Sequence, residues 1–224
     1  MSKKIVIASG NKGKIRKVKE ILKEYNIVSM KDENINIEVE ETEETFTGNA
    51  IKKAETIAKA LNGQMCLADD SGIEIEFLNG FPGVNTKRWF DGTNRERNLA
   101  IIEKLKNVPK EKRKIKFCSA MAISDGKNTI SACEYIEGYV AEGVRGDNGF
   151  GFDEIFELED GRTLAELSQE EKNNISARRK TIEKLKEKLE KISKYIIKII
   201  KKQPQIFKMY LAHIWKFEVV DFTA

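Results

Sequence analysis

Two adjacent carboxylates in Ala68-Asp69-Asp70-Ser71-Gly72 follow the short apolar run Met65-Cys66-Leu67-Ala68. Hard oxygen ligands of this kind suit magnesium, which takes one or two carboxylates and fills the rest of its shell with water and substrate phosphates. At the end of a buried strand such a pair repels itself and loses hydration, so a counter-ion is required. A second acidic run, Glu38 to Glu44, holds Glu40 and Glu41; alone, it reads as a solvated face. Ser9-Gly10-Asn11-Lys12-Gly13-Lys14 offers backbone amides and two lysines ahead of a helix, which suits a phosphate by geometry and charge. The GxxxxGK[ST] spacing of a P-loop is absent, and alone this is an ordinary strand-to-helix turn. Phe150-Gly151-Phe152-Asp153 sets two rings and a carboxylate in a glycine-rich loop, where a purine can stack, although rings more often fill cores. Lys172, Arg178 and Arg179 are by default surface charges.

The elements that must position these residues follow from periodicity. Ile5 to Ala8 is an apolar run without alternation, as in a strand covered on both faces, and a helix follows with Ile15, Val18, Ile21, Leu22 and Tyr25 on one face. Strand, glycine-bearing loop and helix in that order open an α/β fold. Residues 35 to 39 are a candidate second strand. A helix is expected from about Thr47 to Leu61, with Ala50, Ala54, Ile57, Ala58 and Leu61 on one face and Gly63 as its stop. On its other face Asn49 and Lys53, four apart, point the same way. Met65 to Ala68 reads as a strand delivering Asp69 and Asp70 at its carboxyl end, where ligands sit in α/β sheets. Ile73, Ile75 and Phe77 alternate with glutamates, and residues 115–124 and 129–136 flank the turn Asp125-Gly126-Lys127-Asn128; these are hairpin strands. Helices are expected over about Arg95 to Lys106, after the capping box Thr163 to Glu166, and over about Ser176 to Ile192.

Composition narrows the partners. At 224 residues, 40% of them hydrophobic, the chain buries one sizeable core, and one compact unit is expected. Charged residues make up 34% yet the net charge is only +4, which argues against a stable nucleic-acid partner held by phosphate neutralisation. Residues 193–224 carry six lysines against Glu218 and Asp221, so the charge of the whole chain resides in that stretch. Cys66, Cys118 and Cys133 share no CxxC spacing and each falls in an apolar stretch, as expected of buried thiols in a reducing compartment, and His213 is the only histidine. The N-terminal apolar run is too short for a signal peptide, and no stretch reaches bilayer length. A cytoplasmic protein without a transmembrane segment is expected.

The ordered combination is more specific than its parts. Ser-Gly-Asn-x-x-Lys after the first strand, an acidic segment with Asn-Ala-x-x-Lys-Ala, then Ala-Asp-Asp-Ser-Gly, Pro-Gly-Val, Gly-Phe-Gly-Phe-Asp and Glu-Lys-Asn-x-Ile-Ser-x-Arg resembles the inosine triphosphate pyrophosphatase family over about residues 3 to 190. The resemblance implies a mixed α/β fold, a twisted sheet with flanking helices in two lobes around a central cleft, and a homodimer. It implies hydrolysis of non-standard purine nucleoside triphosphates (ITP, dITP, XTP) to the monophosphate and pyrophosphate, with Mg2+. Carried over by position, Ser9, Gly10, Asn11, Lys12, Gly13, Lys14 and Lys53 hold the triphosphate, Glu41 and Asp70 bind the metal, Asp70 accepts the proton and Ser71 touches substrate. Phe150, Gly151, Phe152, Asp153, Lys172 and Arg178 match the nucleoside-binding set.

Two positions depart from the family pattern: Ala177 stands in place of the histidine of Ser-His-Arg, and Phe152 in place of tyrosine or tryptophan. Residues 1–192 are read as the pyrophosphatase domain. Residues 193–224, apolar, basic and interrupted by Pro204, are read as an extension for which three accounts compete: packing on the core or on a dimer partner, which is preferred, a basic amphipathic membrane-surface segment, or a poorly ordered tail. The competing functions are a related pyrophosphatase with another base preference and a nucleotide-sensing module without turnover.

Overall fold

The computed structural model describes residues 3–202. In chain order the elements are β1 (Lys3–Ala8), α1 (Lys12–Ile21), β2 (Tyr25–Ser29), α2 (Phe46–Ala60), β3 (Cys66–Ile75), β4 (Phe81–Pro82), α3 (Asn94–Lys104), β5 (Lys114–Ser124), β6 (Thr129–Val140), β7 (Phe156–Glu157), α4 (Gln169–Ile175) and α5 (Ala177–Lys202). One mixed sheet runs β2-β1-β3-β5-β6-β7, with β4 beside β3. β1 is parallel to β2 and β3, whereas β5 and β6 are antiparallel to their neighbours. The expected mixed α/β fold is thus present.

Two hydrophobic clusters share the long strands. Ile5, Ile7, Val18, Leu67, Met121, Ile182, Leu185 and Leu189 form the first. Ile73, Ile75, Ile101, Leu105, Ile115, Ile155 and Phe156 form the second. On β3 the change from one to the other falls between Leu67 and Ile73, across Asp69, Asp70 and Ser71. On that face Asp69 therefore occupies a waist between two cores, while Asp70, on the other face, turns to the cluster of Phe46, Ala50 and Ala54 under α2.

Several boundaries differ from the periodicity reading. Tyr25 opens β2 rather than continuing α1, because Leu22 ends the helix and residues 25 to 29 pair in parallel with β1. Residues 35–39 make no strand; Ile37 and Val39 instead pack around Cys66 and Ala58. Helix α1 starts at Lys12, capped by Asn11, so the turn is shorter than expected. Helix α5 continues past Ile192 to Lys202, with no break at the expected boundary. Residues 203–224, including Pro204 and His213, lie outside the described residues. Among the described residues, no helix is long and apolar enough to cross a membrane.

Candidate active site

The strand carrying the acidic pair does not end there. β3 runs unbroken through Asp69, Asp70, Ser71 and Gly72 to Ile75, paired with β5 at every residue. On its other edge β1 leaves after Ala8 pairs with Ala68, and β4 arrives only at Glu74. Between them the edge of β3 is open to side chains: Lys53 Nζ donates to the Asp69 carbonyl at 2.6 Å, and Ile73 N–H donates to Thr86 Oγ1 at 3.2 Å. Gly72 permits that approach, because a Cβ there would strike Thr86 and Phe46. The expectation of a strand ending at the carboxylates is therefore corrected to a gap beside a continuous strand.

Successive side chains on a strand point to opposite faces, and this separates the two aspartates, both only 4% exposed. Asp69 faces α1 and α5, where Lys14 Nζ lies 2.5 Å from Oδ2. Burial works against the Asp69 charge, but Lys14 and Arg178 outweigh it and hold the carboxyl below its usual range. Burial depresses Lys14 in turn, partly offset by Asp69. Asp70 faces α2, where Asn49 Nδ2 donates to Oδ2 at 3.1 Å and Lys53 Nζ lies 3.9 Å from Oδ1. Burial raises the Asp70 carboxyl above its usual range against the pull of Lys53, and the Glu41 charge adds to the rise. The mutual repulsion expected of the pair is relieved by this facing, with separate cationic partners.

Glu41 lies on the extended segment before α2 and still meets Asp70, through Lys53. Lys53 Nζ is 2.6 Å from Glu41 Oε1, and Arg88 Nη1 donates to Oε2 at 2.7 Å. Burial disfavours the Glu41 charge, while Lys53 and Arg88 together hold the carboxyl below its usual range. Among the described residues no three acidic, histidine or cysteine side chains converge as a metal cluster. Glu41 and Asp70 nevertheless present carboxylate oxygens of the kind a hard divalent cation takes when water and phosphate oxygens complete its shell.

At the α1 end, Asn11 Oδ1 accepts from Gly13 N–H at 2.9 Å and Lys14 N–H at 3.2 Å, so the cap satisfies two of the amides expected to cradle phosphate. Ser9 Oγ accepts from Asn11 N–H at 3.2 Å, and a Cβ on Gly10 would meet nothing within 4 Å. Lys12 opens the helix. At the far end Lys172 Nζ is 2.8 Å from Asp153 Oδ2 and donates to the Asn148 carbonyl at 2.9 Å. Gly149, at φ +106°, leaves room for that pair, which a Cβ would strike. Phe150 is 64% exposed and Phe152 only 9%. Phe152 packs with Ile155, Phe156 and Leu164, so of the two rings only Phe150 faces solvent; Gly151 between them is at φ +69°. Arg178 Nη2 donates to Ser71 Oγ at 3.3 Å, and its guanidinium, depressed by burial, feels both Asp69 and Asp153. Its buried Nε has no hydrogen-bond partner among the described residues. Arg178 thus joins the β3 waist to the Phe150–Asp153 loop.

Two residues that support the site from behind its carboxylates were missed by the sequence reading. Asn49, fully buried, accepts from Glu43 N–H through Oδ1 at 3.0 Å while donating to Asp70; its spacing from Lys53 was the available signal. Arg88 had none, since its partner is distant in sequence. A cavity of about 650 Å3 lined by Glu74, Lys116, Glu137 and Tyr139 contains none of these residues.

A model of the Ham1 family matches residues 5–188. The chain belongs to the Ham1 family. The dITP/XTP pyrophosphatase of Bacillus subtilis (strain 168) is 42% identical over 84% of this chain and 98% of its own length. The one from Clostridium perfringens (strain 13 / Type A) is 39% identical over 86% and 100%. The solved structure of the Staphylococcus aureus Ham1 protein superposes with a TM-score of 0.78 at 38% identity, covering 84% of this Ham1 chain and 98% of that one. The motif resemblance and the fold agree with these relatives.

Proposed function

We propose that this Ham1 chain hydrolyses non-standard purine nucleoside triphosphates, ITP, dITP and XTP, to the monophosphate and pyrophosphate. The observation that carries the reading is Lys53, whose ammonium gathers Glu41, the Asp69 carbonyl and Asp70 at the open edge of β3. The names of the relatives support the substrate class.

In this reading Glu41 and Asp70 would hold the divalent cation, magnesium, which when bound would neutralise phosphate charge and polarise water. Asp70 accepts the proton of the water whose oxygen bonds to the α-phosphorus as the α–β bridging bond breaks. A buried carboxyl with a raised pKa suits that work. The charge on the departing pyrophosphate is met by Lys12, Lys14 and Lys53. Phe150 offers a face for the base. Lys172 and Asp153, paired side by side, with Arg178 offer donors to O6 and an acceptor to N1–H of a 6-oxo purine. Adenine inverts both groups, leaving them unpaired at a cost of about 1 to 3 kcal/mol each. Ala177 supplies no polar group to the base, which favours loose choice among 6-oxo purines. The reading further includes residues 1–192 as the catalytic domain, residues 193–224 as an extension, a cytoplasmic location and a homodimer.

A pyrophosphate-release assay on ITP, XTP, GTP and ATP, with and without magnesium, tests the proposal. ITP and XTP turnover that depends on magnesium and exceeds ATP turnover about tenfold or more supports it. Equal rates on all four sink the base readout, and undiminished turnover in Asp70→Asn sinks the catalytic assignment.

A further inference from the structure

Glu41 sits on a segment, residues 35–45, that belongs to no helix or strand, so side-chain contacts must hold its carboxylate. Lys53 takes Oε1 from the α2 side at 2.6 Å. From the opposite side Arg88, on the loop that follows Pro82, takes Oε2 at 2.7 Å through Nη1, while its Nη2 reaches the Glu41 carbonyl at 3.4 Å. The same Nη2 donates to the Val84 carbonyl at 3.2 Å and lies 3.5 Å from Asn85 Oδ1. One guanidinium therefore fastens the carboxylate and the backbone of the acidic segment to a turn whose Thr86 is itself bonded to β3 at Ile73. A planar fork with fixed donors does this; a flexible ammonium does it less well.

We propose that Arg88 is a positioning residue for Glu41, holding that carboxylate at the open edge of β3 so that a divalent cation finds it already oriented. The inference rests on the reading that Glu41 and Asp70 are the metal ligands. A cation near a metal site also repels the metal, which argues for the opposite sign. Arg88 is, however, about half exposed (45%), so solvent screens its charge, whereas the orientation it imposes is not screened. Removing a hydrogen-bonded partner of a metal ligand commonly weakens metal affinity by about 10- to 100-fold.

The test uses the full chain and its Arg88→Ala, Arg88→Lys and Glu41→Gln variants. Calorimetric titration with Mn2+ reads affinity directly, amide hydrogen exchange reads residues 38–44 in the metal-free protein, and pyrophosphate release from ITP reads the Mg2+ requirement. For Arg88→Ala the expected result is about tenfold weaker Mn2+ binding, faster exchange over 38–44, and a raised Mg2+ requirement with kcat at saturating Mg2+ kept within about threefold. Arg88→Lys should recover part of each change. Wild-type or tighter Mn2+ binding in Arg88→Ala, or a raised KM for ITP alone, overturns the proposal. If Glu41→Gln also leaves Mn2+ binding untouched, the metal-ligand reading itself has failed, and that is a separate result.

Discussion

Asp69 and Asp70, neighbours on β3, lie on opposite faces of the sheet: Asp69 pairs with Lys14 at 2.5 Å beneath α1, and Asp70 accepts from Asn49 at 3.1 Å beneath α2. The division gives each a different task. Asp69 is a structural anion bound to a buried lysine. Asp70, with its carboxyl raised by burial, is the base in the proposed reaction.

The stability of the metal-free protein should record this difference at Asp70. A carboxyl raised in the folded state binds its proton more tightly than in the unfolded chain. Its contribution is fully present below the unfolded pKa and is lost as pH rises through the folded one. Ionised Asp70 therefore costs stability at neutral pH, and Asp70→Asn should raise the Tm there by about 2 to 4 °C for each kcal/mol recovered. The gain should vanish in acid. Thermal melts of both proteins across pH check it, and an Asn variant that melts lower at pH 7 contradicts it.

Removing Lys14 should have the opposite effect. Lys14→Met leaves the Asp69 carboxylate buried without its ion-pair partner, a defect that costs about 3 to 5 kcal/mol in buried pairs. Arg178 softens the loss, so the lower end is expected. Urea denaturation measures it, and the double variant Lys14→Met/Asp69→Leu should recover most of the deficit.

The three cysteines should differ in reactivity. Burial pushes the Cys66 thiol up to about 12. Cys133 was expected to be buried but is exposed on β6, where its neighbours Cys118 and Thr47 hold its thiol below the usual value. Because the thiolate is the reactive form, iodoacetamide near pH 7.5 should label Cys133 first. Peptide mass spectrometry with Cys66 modified earliest would contradict the assignment.

Phe150 should act on binding rather than on the chemical step. A base stacked on an aromatic ring gains about 1 to 3 kcal/mol, so Phe150→Ala should raise the KM for ITP by about tenfold with kcat nearly unchanged. A fall in kcat at constant KM would place Phe150 elsewhere in the reaction.

Much of the framework is legible in the sequence alone. Apolar periodicity marked α2 and the β5–β6 hairpin to within a few residues, because each buries one continuous face that its own sequence encodes. It failed at β2 and at residues 35–39, where short apolar stretches suit either state and the free edge of β1 decides which one pairs. It also divided β3 in two, since Asp69 and Asp70 looked like the end of a buried strand.

The sequence by itself determined which side chains were available: two carboxylates in line, Lys53 one helical turn from Asn49, a glycine-rich loop with Phe150 and Asp153, and Arg178 at the start of the last helix. Tertiary structure alone decided where they act. The pleat of β3 turns its two aspartates apart, the departure of β1 opens the edge between them and β4, and long-range contacts bring Glu41 to Lys53 and Arg88. Such facts depend on which strand lies beside which, a property of chain packing that local spacing does not encode.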